Sequence, residues 1–172
     1  MSDGEQRESG RSRAIVALPG AGRDIPLGEA GLVTMKAEGR ATAGAMAAYE
    51  FVFPAGTAGP PLHIHRTWDE AFYVLEGEST FLIDGEERIA PAGTFVFIPR
   101  GVPHTFWNAS NAPTRQLIVF TPAGIGDHFD EVSQVMAAGQ ETLDAAIALM
   151  EKHDMEVPPS ARPAYGALAP PS

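Results

Sequence analysis

From Ala71 to Pro122 the chain breaks into AFYVLEG, STFLIDG, EERIA, GTFVFIP, HTFWN and RQLIVFTP, apolar pieces cornered by glycine, proline or asparagine. Segments of about four to six residues with such corners have the length and punctuation of antiparallel strands in a barrel or sandwich. No helical period separates them, so the crossovers that a parallel sheet requires are missing. Asp84-Gly85 is the strongest hairpin signal, because a two-residue turn with both centres at positive φ favours that pair. The fold class is therefore all-β.

Upstream, AIVAL, DIPL and GLVTMKAEG read as short N-terminal strands, and Ala45 to Phe53 alternates Tyr49, Phe51 and Phe53 on one face against Ala48, Glu50 and Val52 on the other. The character changes at Pro122-Ala123-Gly124. Phe129, Val132 and Met136, and then Leu143, Ile147 and Met150, recur at helical spacing, so two short amphipathic helices close the chain. His128 and His153 fall on these helices and read as solvated or capping residues. The predicted organisation is a polar, disordered tail over 1–13, a β domain over 14–124, helices over 125–156, and a proline-rich extended tail over 157–172.

Composition narrows the chemistry. With no cysteine there are no disulfides and no thiolate metal sites, so any metal is held by imidazole and carboxylate. The net charge of −10, with Lys36 and Lys152 as the only lysines, argues against nucleic acid and anionic lipid as partners. No stretch approaches the ~20 apolar residues of a spanning helix, and the N-terminus lacks a basic region followed by an apolar run, so the expected location is cytoplasmic.

Three of the five histidines fall in two stretches, GPPLHIHRTWDEAFYVLEG from Gly59 and GTFVFIPRGVPHTFWN from Gly93. His63 and His65, two apart, share one face of an extended strand. Glu70 follows after enough chain to turn into a neighbouring strand, and His104 comes behind the Pro99-Arg100-Gly101 turn. Together they can supply three nitrogen ligands and one oxygen ligand to one ion. Buried unpaired, these groups would cost several kcal/mol, a penalty that a divalent cation removes.

These stretches resemble the two motifs of the cupins. The first, G-x5-H-x-H-x(3,4)-E-x6-G, is met by His63, His65, Glu70 and Gly77, with only the leading glycine out of place; the second, G-x5-P-x-G-x2-H-x3-N, is met by Gly93, Pro99, Gly101, His104 and Asn108. The resemblance covers roughly 46–122. It implies a jelly-roll barrel or sandwich with His63, His65, Glu70 and His104 as ligands of one divalent first-row ion (Fe, Mn, Ni, Co, Cu or Zn). It also implies a homodimer paired through N-terminal strands.

Counting by two from Glu70 places Phe72 and Val74 inward, and from His104 places Phe106 and Asn108 inward. Trp68 is expected at the mouth of the pocket. Tyr49 is assigned either to the pocket or to the core. An apolar, phenylalanine-lined space suits a flat aromatic small molecule. The segment TPAGIGDHFDEVSQV is similar to the one that follows the barrel in single-domain quercetinase-like cupins, which implies a dioxygenase acting on a flavonol-like or other enolic aromatic, with Glu70 as base. A metal-dependent polyketide cyclase or isomerase and a non-catalytic binding module are the alternatives.

Overall fold

The computed structural model describes residues 14–159. Eleven strands and two helices are formed by these residues: β1 (Arg23–Pro26), β2 (Leu32–Ala37), β3 (Ala47–Phe53), β4 (Ile64–His65), β5 (Asp69–Glu76), β6 (Glu78–Ile83), β7 (Glu86–Pro91), β8 (Phe95–Ile98), β9 (His104–Trp107), β10 (Thr114–Thr121), α1 (Gly126–Ala137), α2 (Leu143–Lys152) and β11 (Met155–Glu156). A six-stranded sheet in the order β1-β2-β3-β10-β5-β8 is accompanied by a three-stranded sheet, β7-β6-β9, and a two-stranded ribbon, β11-β4. Every pairing is antiparallel. Among the described residues the strands form a sandwich of open sheets and not one closed barrel.

Period-two alternation builds the core. On β5, Glu70, Phe72 and Val74 are buried while Tyr73 is exposed. Phe72 meets Phe81 of β6 and Phe106 of β9, each at 5.0 Å between ring centroids, which joins the two sheets. Burial of each such ring contributes about 1.5–3 kcal/mol, and each edge-to-face pair about 0.5–1.5 kcal/mol more. The β6–β7 hairpin turns at Asp84 (φ 50°) and Gly85 (φ 80°), as that dipeptide predicts.

The ends of the chain depart from the sequence reading. DIPL and GLVTMKAEG supply β1 and β2, whereas Ala14 to Leu18 form no strand and leave Ile15, Val16 and Leu18 exposed. With no neighbour to accept its hydrogen bonds, an apolar run of that kind has nothing to pair with. Both helices form, and the Thr142 hydroxyl caps α2 by accepting from the Ala145 amide at 3.1 Å. Beyond α2 the chain turns back. Met155 pairs with His65, and Val157, assigned above to an extended tail, is buried in the core. The expectations for 1–13 and for the end of the proline-rich tail lie outside the described residues. None of the described helices is long and apolar enough to cross a membrane.

Candidate metal centre and its cavity

Backbone pairing, not side-chain contact, sets the positions of the four polar groups. His63 and His104 exchange both main-chain hydrogen bonds (3.0 and 2.9 Å), and the Gly101 amide donates to the His65 carbonyl at 2.9 Å. Glu70 is fixed on β5 between Ile98 of β8 and Phe120 of β10. Its neighbour Asp69 accepts from the Arg100 amide (2.9 Å), Nε (3.0 Å) and Nη2 (2.8 Å), tying the start of β5 to the Pro99-Arg100-Gly101 turn that delivers His104. The Arg100 hydrogen bonds hold the Asp69 carboxyl down at about 2.

His63, His65, Glu70 and His104 are all buried, and one ligand atom from each lies within 4.8 Å of all the others. His63 Nδ1 lies 2.8 Å from the Pro61 carbonyl, and His104 Nδ1 lies 2.9 Å from the Val102 carbonyl. Carbonyls only accept, so each Nδ1 carries a proton and each Nε2 faces the cluster. Glu70 Oε2 sits 2.9 Å from His104 Nε2 and 3.0 Å from His65 Nε2. At those distances a proton or a cation must lie between the carboxylate oxygen and each ring nitrogen. The donor set, three imidazoles and a carboxylate, fits a divalent first-row cation.

The electrostatics of the pocket point the same way. Burial and the neighbouring His104 and His65 push His63 well below its ordinary value, so it is neutral and able to ligate. For Glu70, burial raises the pKa, but hydrogen bonds from His104 and His65 outweigh it and hold the carboxyl below its ordinary value. The simple expectation for a carboxylate in an apolar pocket is thus reversed by its partners.

A cavity of about 150 Å³ opens onto His63, His65 and Glu70. Its walls are Phe51 and Phe53 from β3, Ile118 and Phe120 from β10, Phe106 from β9, and the inner faces of α1 and α2. Of the residues assigned to the substrate pocket by counting, Phe106 is in the wall. Phe72 and Val74 face the predicted way but fill the space between the sheets, and Tyr49 is core, packed on Phe120 and Phe129. Trp68 is buried edge-on to His65 at 5.7 Å and is not in the wall either. Asn108 is consumed by structure, donating to the Pro54 and Ala112 carbonyls at 2.8 Å each.

His128, read above as solvated or capping, is in the cavity wall and only 8% exposed. Burial, followed by the nearby His153 and His65, pushes its pKa down to about 4, against small opposing effects of Glu131 and the Leu149 carbonyl. A helical wheel was the signal available. His128 precedes Phe129 and stands four residues before Val132, so it borders the apolar stripe.

The comparisons with known proteins agree with this architecture. The family model described as Cupin domain matches residues 49–120. Quercetin 2,3-dioxygenase of Bacillus subtilis is 28% identical over 127 residues, 68% of this chain and 36% of that protein. Oxidoreductase iacF of Pestalotiopsis fici is 44% identical over 68 residues, 39% of this chain and 32% of that protein. The chain thus spans about a third of the length of these two curated relatives. Among solved structures, KdgF from Halomonas sp. superposes with a TM-score of 0.57 at 17% identity, over 65% of this chain and 96% of that one, a likeness of fold. Residues 49–120 thus resemble a cupin domain, and the buried three-histidine, one-glutamate cluster that falls in this stretch is compatible with a divalent metal site.

Proposed function

We propose that this protein is a metal-dependent dioxygenase acting on an enolic aromatic small molecule. The observation that carries the reading is the setting of Glu70, the only carboxylate in the wall of a largely apolar cavity among the described residues, ionised and beside three inward-facing imidazoles. The sequence similarity to a quercetin dioxygenase and to an oxidoreductase supports it. His63, His65, His104 and Glu70 would hold one divalent ion, which when bound supplies Lewis acidity and an attachment point for substrate oxygens.

The chain's own residues then have defined tasks. Glu70 accepts the enol proton on a carboxylate oxygen, a role that its lowered pKa keeps available at neutral pH. The Pro61 and Val102 carbonyls fix the tautomers of His63 and His104. Phe51, Phe53 and Phe106 stack around a flat ring and exclude water. Pairing of two copies belongs to the same proposal, supported by the exposed rings of Tyr73, Phe95 and Phe97 along β5 and the β8 edge.

The test is oxygen uptake. Protein loaded separately with Fe, Mn, Ni, Co or Cu is mixed with single-ring enolones and flavonols, and at least one combination consumes dioxygen and yields a product heavier by two oxygen atoms. Products lighter by water with no uptake would assign a cyclase instead. Tight retention of unaltered ligand under every metal would assign a binding module.

A further inference from the structure

One polar side chain in the cavity wall has no task in the proposed chemistry. His63, His65 and Glu70 gather at the metal cluster, and among the described residues His128 is the only other polar side chain in the wall. It enters from the first turn of α1 and is not part of the set of ligand atoms within 4.8 Å of one another. The ring is packed against Phe129 (5.7 Å) and His153 (5.4 Å), and its Nδ1 has no hydrogen-bond partner. An unmade hydrogen bond in such surroundings costs about 1–3 kcal/mol. Nothing in the packing of α1 demands that cost, since Phe129 and Val132 already supply its apolar contact.

The size of the space sets a second limit. An apolar cavity of about 150 Å³ holds a single benzene ring, whereas pockets for larger ligands run to roughly 300–1,000 Å³. A three-ring flavonol exceeds it.

We infer that the substrate is a single-ring enolone carrying a second polar group away from its enol oxygens, and that His128 selects for that group by a hydrogen bond. The inference rests on the reading of the four-residue cluster as a metal site that receives the enol oxygens. His128 is a specificity residue in this scheme and stands outside the reacting atoms.

The test uses the full chain loaded with Zn(II), under nitrogen, and a matched pair of single-ring enolones. Kojic acid and allomaltol share one ring and one chelating pair of oxygens and differ by one hydroxyl on the side chain. Calorimetric titration of the wild-type protein gives about fivefold tighter binding of kojic acid, the worth of one neutral hydrogen bond. In His128→Leu the ratio falls to near one with allomaltol little changed, and His128→Gln, which keeps a donor and an acceptor, holds it above about twofold. Independently of any variant, the ring ¹⁵N resonances of His128 move on adding kojic acid and stay in place with allomaltol. A ratio near one in the wild type, or one that survives His128→Leu, overturns the role of His128 and leaves the proposed function standing. Flavonol binding as tight as that of kojic acid overturns the size argument. Failure of every enolone to bind the loaded protein overturns the proposed function itself.

Discussion

The buried His128 makes a quantitative demand on acid stability. In the unfolded chain this imidazole takes up a proton near pH 6.5, and in the folded protein it does so only near pH 4. Between those values the unfolded state binds more protons, so stability is fully present above the window and is lost as the pH falls through it. At 1.36 kcal/mol per pH unit the whole window amounts to about 3 kcal/mol, of which about 2 kcal/mol is gone by pH 5. The charges facing the ring come from His153 of the turn after α2, Glu131 of α1 and His65 of β4, and Glu131 is itself engaged by Lys152 at 2.6 Å. Urea unfolding of the metal-free protein at pH 7 and pH 5, wild type against His128→Leu, isolates the effect. His63, also neutral when folded, adds acid sensitivity of the same sign to both proteins, and His128 is only the last of the causes that lower its pKa, after burial, His104 and His65. The variant is expected to lose about 2 kcal/mol less than the wild type between the two pH values, whatever its stability at pH 7. Equal losses in the two proteins would refute the argument, because His128 would then have to be solvated or already protonated in the folded state.

Other perturbations follow from the geometry. Glu70→Gln replaces the charged carboxylate facing two imidazoles by a neutral amide and weakens metal retention by at least about tenfold, measured by chelator competition and elemental analysis. Gly59→Ala puts a methyl group 1.5 Å from the Phe106 carbonyl oxygen, so β9 or the Gly59 loop must shift. A loss of about 1–3 kcal/mol in chemical denaturation is expected, with weaker metal binding because His104 begins the same strand. The proposed pairing of two copies predicts a dimer for the wild type in sedimentation velocity and a monomer for Phe95→Ser combined with Phe97→Ser, which strips the exposed apolar side chains of β8, with the fold retained by circular dichroism.

Much of the candidate site could be read along the chain because its parts are local. His63 and His65 need only the period of a strand to share a face, and the Pro99-Arg100-Gly101 turn announces its own geometry. The Asp84-Gly85 hairpin is legible for the same reason. What escaped is packing between distant segments. Phe72 and Val74 do face inward with Glu70, but alternation cannot tell which part of an interior is filled and which is open. That depends on how Phe81 and Phe106 meet Phe72 across the sheets. His128 was misplaced because a residue bordering a helix stripe is buried or solvated according to what packs beside it, here His153 from the turn after α2. The same blindness hid β11, two residues with no periodicity of their own.

That short strand has a consequence for how the protein is made. Met155–Glu156 pairs with Ile64–His65, and Arg66 reaches Glu156 across 90 residues of chain. Among the described residues, the free edge of the segment carrying two of the histidines is therefore covered by β11. During vectorial synthesis at roughly 5–20 residues per second, the two sheets have their full complement of strands well before this closing piece leaves the ribosome. A nascent chain therefore carries the strand of His63 and His65 with an open edge for a time on the order of seconds, until β11 has been made.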